Sequence, residues 1–186
     1  MVRTFIAFEL PENVIACLKN LQYALKRYGI NIRWVNPENI HLTLKFLGDI
    51  PIEKCSEIES AIKLVTKAFE PLALSVKGIG VFPSIKNARV LWTGLSGEIE
   101  ILVNLQQNLE AQLVNLGLKK ENRPFKAHLT LGRIKKRVDP AQLLGAIRAC
   151  CEFEPVNFNV KHVVLYKSDL TSTGAVYTAL YSKGLG

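Results

Sequence analysis

The chain has 186 residues and a formal net charge of +8, and 48% of its residues are hydrophobic. This length suits one domain or two small lobes that share a core, and the apolar content is enough to bury a substantial interior. No apolar run approaches the roughly 18 residues of a membrane span, and the N-terminus lacks the cleavage site of a signal peptide, so we expect a soluble, cytoplasmic protein with no membrane partner. The positive charge favours an anionic partner, either nucleic acid or a phosphate.

The first half of the chain alternates between strand and helix patterns. Apolar residues at helical spacing follow Pro11, and Gly29 ends that helix. A second apolar helical face follows Pro51. In chain order we predict a strand at 2–10, a helix from 11 to about 29, an extended piece at 32–35, a turn at 36–39, a strand from 41 and a helix that begins at 49–51.

The second half continues the mixture of short helices and strands. Leucines at helical spacing predict a third helix that Gly117 ends, and a basic loop without apolar periodicity follows it. In chain order we predict strands at 72–82 and 89–95, a helix from 96–97 to 117, a loop at 118–126, a strand from 128, a helix at 139–151 and strands at 156–167 and 175–181 joined by a polar turn at 168–174. This mixture indicates an α+β fold with mostly antiparallel sheets flanked by helices.

One four-residue phrase occurs twice, once in each half of the chain. Residues 41–44 and residues 128–131 both read His-Leu-Thr-Leu. Side chains two residues apart share a face of a strand, so each copy places its histidine and threonine on one side and its two leucines on the other. The duplication predicts two pseudo-symmetric lobes, each of which contributes one such strand to an active-site cleft between them.

The paired histidines fit acid–base catalysis at a phosphodiester. If His41 and His128 face each other across the cleft, the neutral ring can take a proton from water while the protonated ring gives one to the leaving oxygen. The hydroxyls of Thr43 and Thr130 can donate hydrogen bonds to non-bridging phosphate oxygens. Mutual repulsion and an anionic substrate should separate the two histidine pKa values so that they straddle neutrality.

A cation is also needed for the charge that develops on the phosphate oxygens. Strict alternation puts Lys45 on the strand face of His41 and Thr43. It turns Arg133 away from the cleft, unless a bulge at Gly132 re-aims it or the strand ends there. Two histidines and two threonines make a poor set of metal ligands, so we expect neither a metal nor a cofactor.

Both motifs and their flanks resemble the paired His-x-Thr-x motifs of the two-histidine (2H) phosphoesterase superfamily. Within it, the chain resembles the LigT-like RNA 2′,3′-cyclic phosphodiesterases, historically called 2′-5′ RNA ligases. The resemblance covers most of the chain and is carried by the stretches RTFIAFELP, RWVNPENIHLTLKFLG, FP…ARVLW (82–92), RPFKAHLTLGRI and YKSDLTSTGAVY.

The resemblance implies one 2H phosphoesterase domain over residues 1–186, and we expect it to be a monomer. It implies metal-independent hydrolysis of a terminal 2′,3′-cyclic phosphate of RNA to a 2′-phosphomonoester. It makes His41 the proton donor to the 3′ oxygen and His128 the proton acceptor for water. Arg133 matches the family's arginine five residues after the second histidine, and Phe5 matches an aromatic of the N-terminal strand. Both are therefore expected to bind substrate.

Two other functions stay open for this sequence. The same histidines could join RNA ends reversibly through a 2′-5′ linkage, because a sugar hydroxyl can take the place of water. A basic α+β chain could also bind RNA without catalysis, although binding alone does not need matched histidines.

Residues outside the motifs are less specific. Aromatic residues that could stack on a base are Trp34, Phe46, Phe125 and Tyr166. Core packing is the favoured role of each, and Phe46 shares a strand face with Leu42 and Leu44. Cations that could contact phosphates are Arg33, Lys120, Arg123 and Lys126, and surface solvation explains each equally well. His162 has no threonine two residues later and is interpreted as structural. The four cysteines are expected to be reduced and mostly buried.

Overall fold

The computed structural model describes residues 1–172 and 174–186, and it confirms the predicted α+β class. The strands are β1 (Val2–Phe8), β2 (Arg33–Trp34), β3 (Leu42–Ile50), β4 (Leu72–Phe82), β5 (Val90–Gly97), β6 (His128–Arg133), β7 (Val156–Val160), β8 (His162–Thr171) and β9 (Gly174–Gly184). The helices are α1 (Glu12–Lys26), α2 (Cys55–Thr66), α3 (Ile99–Asn115) and α4 (Pro140–Cys150).

The strands form two sheets, and every strand pairing in the described residues is antiparallel. The first sheet has the order β3-β1-β8-β9, and the second has the order β2-β6-β5-β4-β7. His41 directly precedes β3 of the first sheet, and His128 opens β6 of the second. Each sheet therefore receives one of the two repeated phrases, as the duplication predicted.

The two sheets do not correspond to the two halves of the sequence. The first sheet combines β1 and β3 with β8 and β9 from the far end of the chain. The strand predicted at 156–167 is two strands, because β7 pairs with β4 in the second sheet whereas β8 pairs with β1 in the first. The chain crosses between the sheets at Lys161. A continuous apolar pattern could not reveal this change of partner.

The predicted apolar helix faces are buried and form one core with the sheets. Helix α1 contacts α4 and β7, while α2 contacts α3, β8 and β9. The buried aliphatic residues of α1 are Val14, Leu18, Leu21 and Leu25, and those of α3 are Leu102, Leu105, Leu109 and Leu113. Helix α2 begins at Cys55, later than predicted, because β3 continues to Ile50 and a 3₁₀ turn follows at Ile52–Lys54.

The central strand β1 is buried on both faces, and the two faces have different neighbours. Ile6 and Phe8 belong to the main hydrophobic core. Phe5, on the opposite face, is only 3% exposed and packs against aromatic rings and His41. The first sheet therefore has one face on the core and one face that forms a wall of the cleft.

Three further predictions concern the cysteines, the turn at 168–174 and membrane-spanning segments. All four cysteines are free, as predicted, and Cys55 is buried while Cys17, Cys150 and Cys151 are partly buried. The predicted turn at 168–174 includes Thr173, which lies outside the described residues. No helix in the described ranges is both long and apolar enough to cross a membrane.

Candidate active site

The first histidine is held by a hydrogen bond to the backbone just before it. Nδ1 of His41 lies 2.9 Å from the carbonyl oxygen of Asn39. The side-chain amide of Asn39 in turn donates to the carbonyl of Ala175 in β9, at 2.9 Å, which fixes Asn39 against the sheet. A carbonyl only accepts, so Nδ1 of His41 carries the hydrogen. Nε2 is the nitrogen left free to exchange a proton.

Aromatic rings surround the other sides of His41. Phe5 stacks on its imidazole with ring centroids 4.4 Å apart, and Tyr177 meets it edge-on at 5.2 Å. Tyr166 also stacks on Phe5 at 5.2 Å, and its ring centroid lies 6.5 Å from that of His41. Burial lowers the pKa of His41 to about 4, and the hydrogen bond to Asn39 opposes this shift only in part. The ring is therefore neutral in the ligand-free protein at pH 7.

The second histidine repeats this arrangement in the other lobe. Nδ1 of His128 lies 2.6 Å from the carbonyl oxygen of Lys126, again two residues earlier. Phe82 meets the imidazole edge-on at 5.0 Å, and Trp92 does so at 6.4 Å. Burial lowers the pKa of His128, the hydrogen bond to Lys126 raises it, and the charge of Arg133 lowers it further. Here too Nε2 is the free nitrogen.

In the ligand-free protein both histidine pKa values are lowered, and the separation about neutrality that an anionic substrate should cause stays a prediction. Both values are lowered from 6.5, because each ring is buried among apolar aromatic side chains. Mutual repulsion is not the cause. A bound phosphate anion would shift both pKa values upward again, since it stabilises the imidazolium.

Both motifs contain a β-bulge at the same position. In β3, Thr43 pairs with Ala7 and Lys45 pairs with Ile6, so Leu44 is the extra residue. In β6, Thr130 pairs with Trp92 and Gly132 with Leu91, so Leu131 is the extra residue. A bulge interrupts the alternation of side chains and re-aims the residues that follow it.

The bulges decide which later residues face the histidines. Arg133 is exposed, and its charge acts on the pKa of both His128 and Tyr177, so it faces the cleft as a bulge would require. The equivalent residue of the first motif, five after its histidine, is Phe46. Phe46 is 66% exposed and its ring lies 5.9 Å from that of Phe5, so the prediction that it is a core residue is wrong.

Lys45 does not share the face of His41, contrary to the prediction from strict alternation. It is 7% exposed, and its ammonium forms an ion pair of 2.7 Å with Glu110 and a hydrogen bond of 2.7 Å to the carbonyl of Lys119. The bulge at Leu44 turns this side chain toward α3 and the loop after it. Its charge is therefore neutralised within the protein by Glu110 and is not directed at a substrate.

A buried glutamine binds the bulge carbonyl in each lobe. The amide of Gln22, in α1, donates to the carbonyl of Leu131 at 2.9 Å and to that of Val35 at 2.7 Å. The amide of Gln106, in α3, donates to the carbonyl of Leu44 at 3.3 Å. These are among the few buried polar side chains of the described chain. Each helix thus fixes the bulge of the motif strand that it covers.

Arg133 and Tyr177 connect the two lobes. Arg133 lies at the end of β6, yet its charge opposes the rise that burial causes in the pKa of Tyr177 on β9. Tyr177 in turn contacts His41. Strands β3 and β6 are also in contact. Tyr177 therefore contacts His41 of the first sheet and is also within range of the charge of Arg133, which acts on His128 in the second sheet.

The threonines lie in the motif strands beside their histidines. Thr43 and Thr130 are both partly exposed, and neither hydroxyl makes a hydrogen bond within the described part of the chain. Both hydroxyls can therefore donate to a ligand. Within residues 1–172 and 174–186, no three His, Cys, Asp or Glu side chains form a group that could hold a metal ion.

The remaining candidates are dispersed. Trp34 and Phe125 are partly buried against the core, and the ammonium of Lys26 lies 5.5 Å from the Trp34 ring. Lys126 approaches the ring of Phe82 at 5.5 Å, close to His128. Arg123 forms an ion pair with Glu121, and Lys120 is exposed. His162 is exposed and lines a separate surface pocket with Glu9 and Phe158.

Comparison with known proteins identifies the family. The family model described as LigT like Phosphoesterase matches residues 8–92 and 95–177. The chain belongs to this family. LigT-like relatives named RNA 2′,3′-cyclic phosphodiesterase include one from Methanothermobacter thermautotrophicus, 35% identical over 95% of both chains. Another, from Methanocaldococcus jannaschii, is 35% identical over 96% of this chain and 98% of its own.

Solved structures of LigT-like proteins share the fold. A protein from Thermus thermophilus superposes with a TM-score of 0.80 and 27% identity, covering 98% of this chain and 97% of its own. Escherichia coli LigT complexed with 3′-AMP gives a TM-score of 0.73 and 25% identity, covering 99% and 98% of the two chains. The two-sheet architecture described above is therefore that of the LigT-like phosphoesterases.

Three residues of this LigT-like site were not predicted from their own positions in the sequence. Phe82, Trp92 and Tyr177 all contact a histidine ring, although each lies far from that histidine in sequence or on another strand. The stretches that contain them carry the family resemblance, but their own patterns do not indicate contact with a histidine. Their contacts depend on strand pairing, which no local pattern encodes.

Proposed function

We propose that this protein hydrolyses the terminal 2′,3′-cyclic phosphate of RNA to a 2′-phosphomonoester, without a metal ion. The observation that carries the proposal is the matched pair of imidazoles, one beside each motif strand, and we infer that they face a single cleft. In both, Nδ1 is bound to a carbonyl and Nε2 is free. Relatives at about the same length that carry the name RNA 2′,3′-cyclic phosphodiesterase support the substrate.

The reaction needs one proton donor and one proton acceptor on opposite sides of the phosphorus atom. His128 Nε2 takes a proton from water as its oxygen attacks phosphorus. The bond from phosphorus to the 3′ oxygen breaks, and protonated His41 gives its Nε2 proton to that oxygen. The phosphate remains on the 2′ oxygen, and the two histidines end with their protonation states exchanged. Solvent then restores them.

Charge on the non-bridging oxygens is stabilised by groups around the cleft. The hydroxyls of Thr43 and Thr130 are free to donate to these oxygens, and Arg133 supplies the positive charge. Burial raises the pKa of Tyr177, so its phenol stays protonated and can donate as well. Phe5 is buried behind His41 and supports that ring, which fits a positioning role better than direct contact with substrate.

Substrate binding completes the protonation state that the mechanism requires. His41 is neutral in the free protein near pH 7, because burial lowers its pKa to about 4. A cyclic phosphodiester brings a permanent negative charge next to the ring and raises this pKa. Proton uptake by His41 therefore accompanies binding of the anion.

The direct test is product analysis with a purified enzyme and a chelator. An oligonucleotide with a 2′,3′-cyclic phosphate end should be converted to a 2′-phosphate end at the same rate with and without EDTA. Loss of turnover in EDTA, or a 3′-phosphate product, would overturn the proposal. RNA binding with no product would instead establish a non-catalytic binding protein.

The same assay separates hydrolysis from ligation. An added RNA with a 5′-hydroxyl end competes with water for the cyclic phosphate. If hydrolysis is the main reaction, the 2′-phosphate product should dominate, and a 2′-5′ linked product should form only in minor amounts. Predominant 2′-5′ joining at moderate concentrations of the second RNA would contradict the proposal.

A further inference from the structure

A row of exposed cations extends from the active site across the edge of the second sheet. Arg33 in β2 is the direct cross-strand partner of Arg133 in β6. Arg89 donates to the carbonyl of Lys135 at 3.4 Å, which joins the start of β5 to the loop after β6. We call this surface the basic strip; its members, all exposed, are Arg33, Arg89, Arg133, Lys135, Lys136 and Arg137.

The charges of the basic strip are not balanced by carboxylates. None of its members forms an ion pair within the described chain. Asp139, the nearest acidic residue in sequence, caps α4 by accepting a hydrogen bond of 2.9 Å from the amide of Ala141. Two arginines directly opposite each other on paired strands repel. The pair Arg33–Arg133 is therefore stabilised when an anion lies between or beside the two guanidinium groups.

The basic strip begins beside the two residues His128 and Tyr177. Arg133 is its inner end, and its charge acts on the pKa of both His128 and Tyr177. Arg33 is its next neighbour. A polyanion with one phosphate between the histidines would meet Arg33 first and then the loop at 135–137.

We propose that the basic strip binds the sugar-phosphate backbone of single-stranded RNA upstream of its cyclic phosphate end. The substrate is then the end of an RNA chain in preference to a free cyclic mononucleotide. This inference rests on the proposed function, and it adds the path of the strand and the class of substrate. Because the contacts are to phosphates, they give affinity with a steep dependence on salt and little preference for base sequence.

The other basic segment near His128 is a weaker candidate for this role. The loop at 118–126 also carries cations, but Arg123 is paired with Glu121 at 3.2 Å. The backbone of Glu121 is bound to the carboxylate of Glu110, which also holds Lys45. The loop is therefore tied to acidic groups, whereas the basic strip is not.

The test compares three variants in a binding assay: a strip variant and a control variant that each lose three positive charges, and a loop variant that loses two. The strip variant is Lys135→Gln/Lys136→Gln/Arg137→Gln, and the control variant is Lys63→Gln/Lys67→Gln/Lys161→Gln, at exposed positions away from both histidines. The loop variant is Lys120→Gln/Arg123→Gln. Fluorescence anisotropy measures the Kd of a single-stranded RNA of about 12 nucleotides with a 2′-phosphate end, over a series of salt concentrations.

The strip variant should bind this RNA about tenfold more weakly near physiological salt. The slope of the logarithm of the binding constant against the logarithm of the salt concentration should decrease in magnitude by about 2, because each lost phosphate contact contributes about 0.7. Its kcat/KM for a cyclic mononucleotide should equal that of the wild type. The control variant should bind RNA as the wild type does. Unchanged RNA binding by the strip variant, an equal loss in the control variant, or a larger loss in the loop variant overturns the inference.

Two further readouts separate this inference from the proposed function. Wild-type enzyme that turns over neither substrate refutes the proposed function, while the anisotropy result still decides the inference about RNA binding. If the triple strip variant is unstable in thermal unfolding, the single change Lys136→Glu tests the same surface and should weaken RNA binding measurably. Wild-type affinity in Lys136→Glu then counts against the strip.

Discussion

Gln22 donates a hydrogen bond of 2.9 Å to the carbonyl of Leu131, the extra residue in the bulge of the second motif. Gln106 makes the equivalent bond to Leu44 in the first motif, at 3.3 Å. The two glutamines lie on different helices, and both are almost completely buried. The pseudo-symmetry of the site therefore extends beyond the histidines to the groups that hold their strands in the bulged conformation.

Replacing either glutamine by methionine should destabilise the fold and impair catalysis. Each change removes a buried donor and should lower the free energy of unfolding by about 1–2 kcal/mol. Gln22→Met should also lower kcat, because the bulge that aims Arg133 is no longer held. Urea unfolding and steady-state kinetics measure the two effects. The matched control is Gln107→Met, one residue along α3 at an exposed position. If Gln107→Met lowers stability and kcat as much as Gln106→Met does, the role assigned to the buried amide is refuted.

The pH–rate profiles should differ between the free enzyme and its complex. In the free enzyme burial lowers the pKa of His41 to about 4 and lowers that of His128 from 6.5. With His41 acting as acid and His128 as base, kcat/KM should peak between the two values, below about pH 6.5. The bound anion raises both pKa values, so the kcat profile should lie at higher pH. If the kcat and kcat/KM profiles coincide or are flat, binding of the anion does not raise the pKa values of the two histidines as expected.

Stability should decrease with acid in a way that depends on His41. Its pKa is about 4 in the folded protein and near 6.5 when unfolded, so the unfolded chain binds more protons between these values. The contribution of His41 to the free energy of unfolding is fully present above about pH 6.5 and is lost as the pH falls through 4. The largest loss is about 3 kcal/mol. Chemical unfolding across this pH range should show that the free energy of unfolding of His41→Gln decreases less with acid than that of the wild type. The exposed His162→Gln control should behave like the wild type.

Lys45 should matter for stability and not for substrate binding. Lys45→Met leaves the carboxylate of Glu110 without its cation in a largely buried position, which costs about 3 kcal/mol. Lys45→Met/Glu110→Met should recover much of that loss. At a temperature where both variants are folded, KM for a cyclic-phosphate RNA should match the wild type. A large increase in KM for Lys45→Met in the folded state would restore Lys45 as a substrate ligand.

The parts of the site that follow strand periodicity could be predicted from the sequence. His41 and Thr43 lie beside the cleft and Leu42 in the core, because alternation holds over the first three residues of the motif. It fails from Leu44 onward, where the bulge begins. The carbonyl of this bulge residue accepts a hydrogen bond from Gln106, which is 62 residues away. The misplacement of Lys45 and Phe46 has this single cause.

Contacts between strands that are distant in sequence could not be predicted from local sequence patterns. Tyr177 meets His41 because β9 pairs with β8, β8 with β1 and β1 with β3. The apolar pattern at 156–167 predicted one strand and did not reveal that the chain changes sheets within it. The helix faces, by contrast, were predicted correctly, because each helix buries a stripe that its own sequence defines.

The most direct test of the two-histidine mechanism is the turnover of a 2′,3′-cyclic-phosphate RNA by His41→Asn and His128→Asn, each measured against the wild type and His162→Asn. If the two rings act as acid and base, each active-site variant should lose at least about 10²-fold in kcat, and the double variant should lose little more. Binding of the RNA should persist. Turnover within about tenfold of the wild type in either single variant would contradict the mechanism.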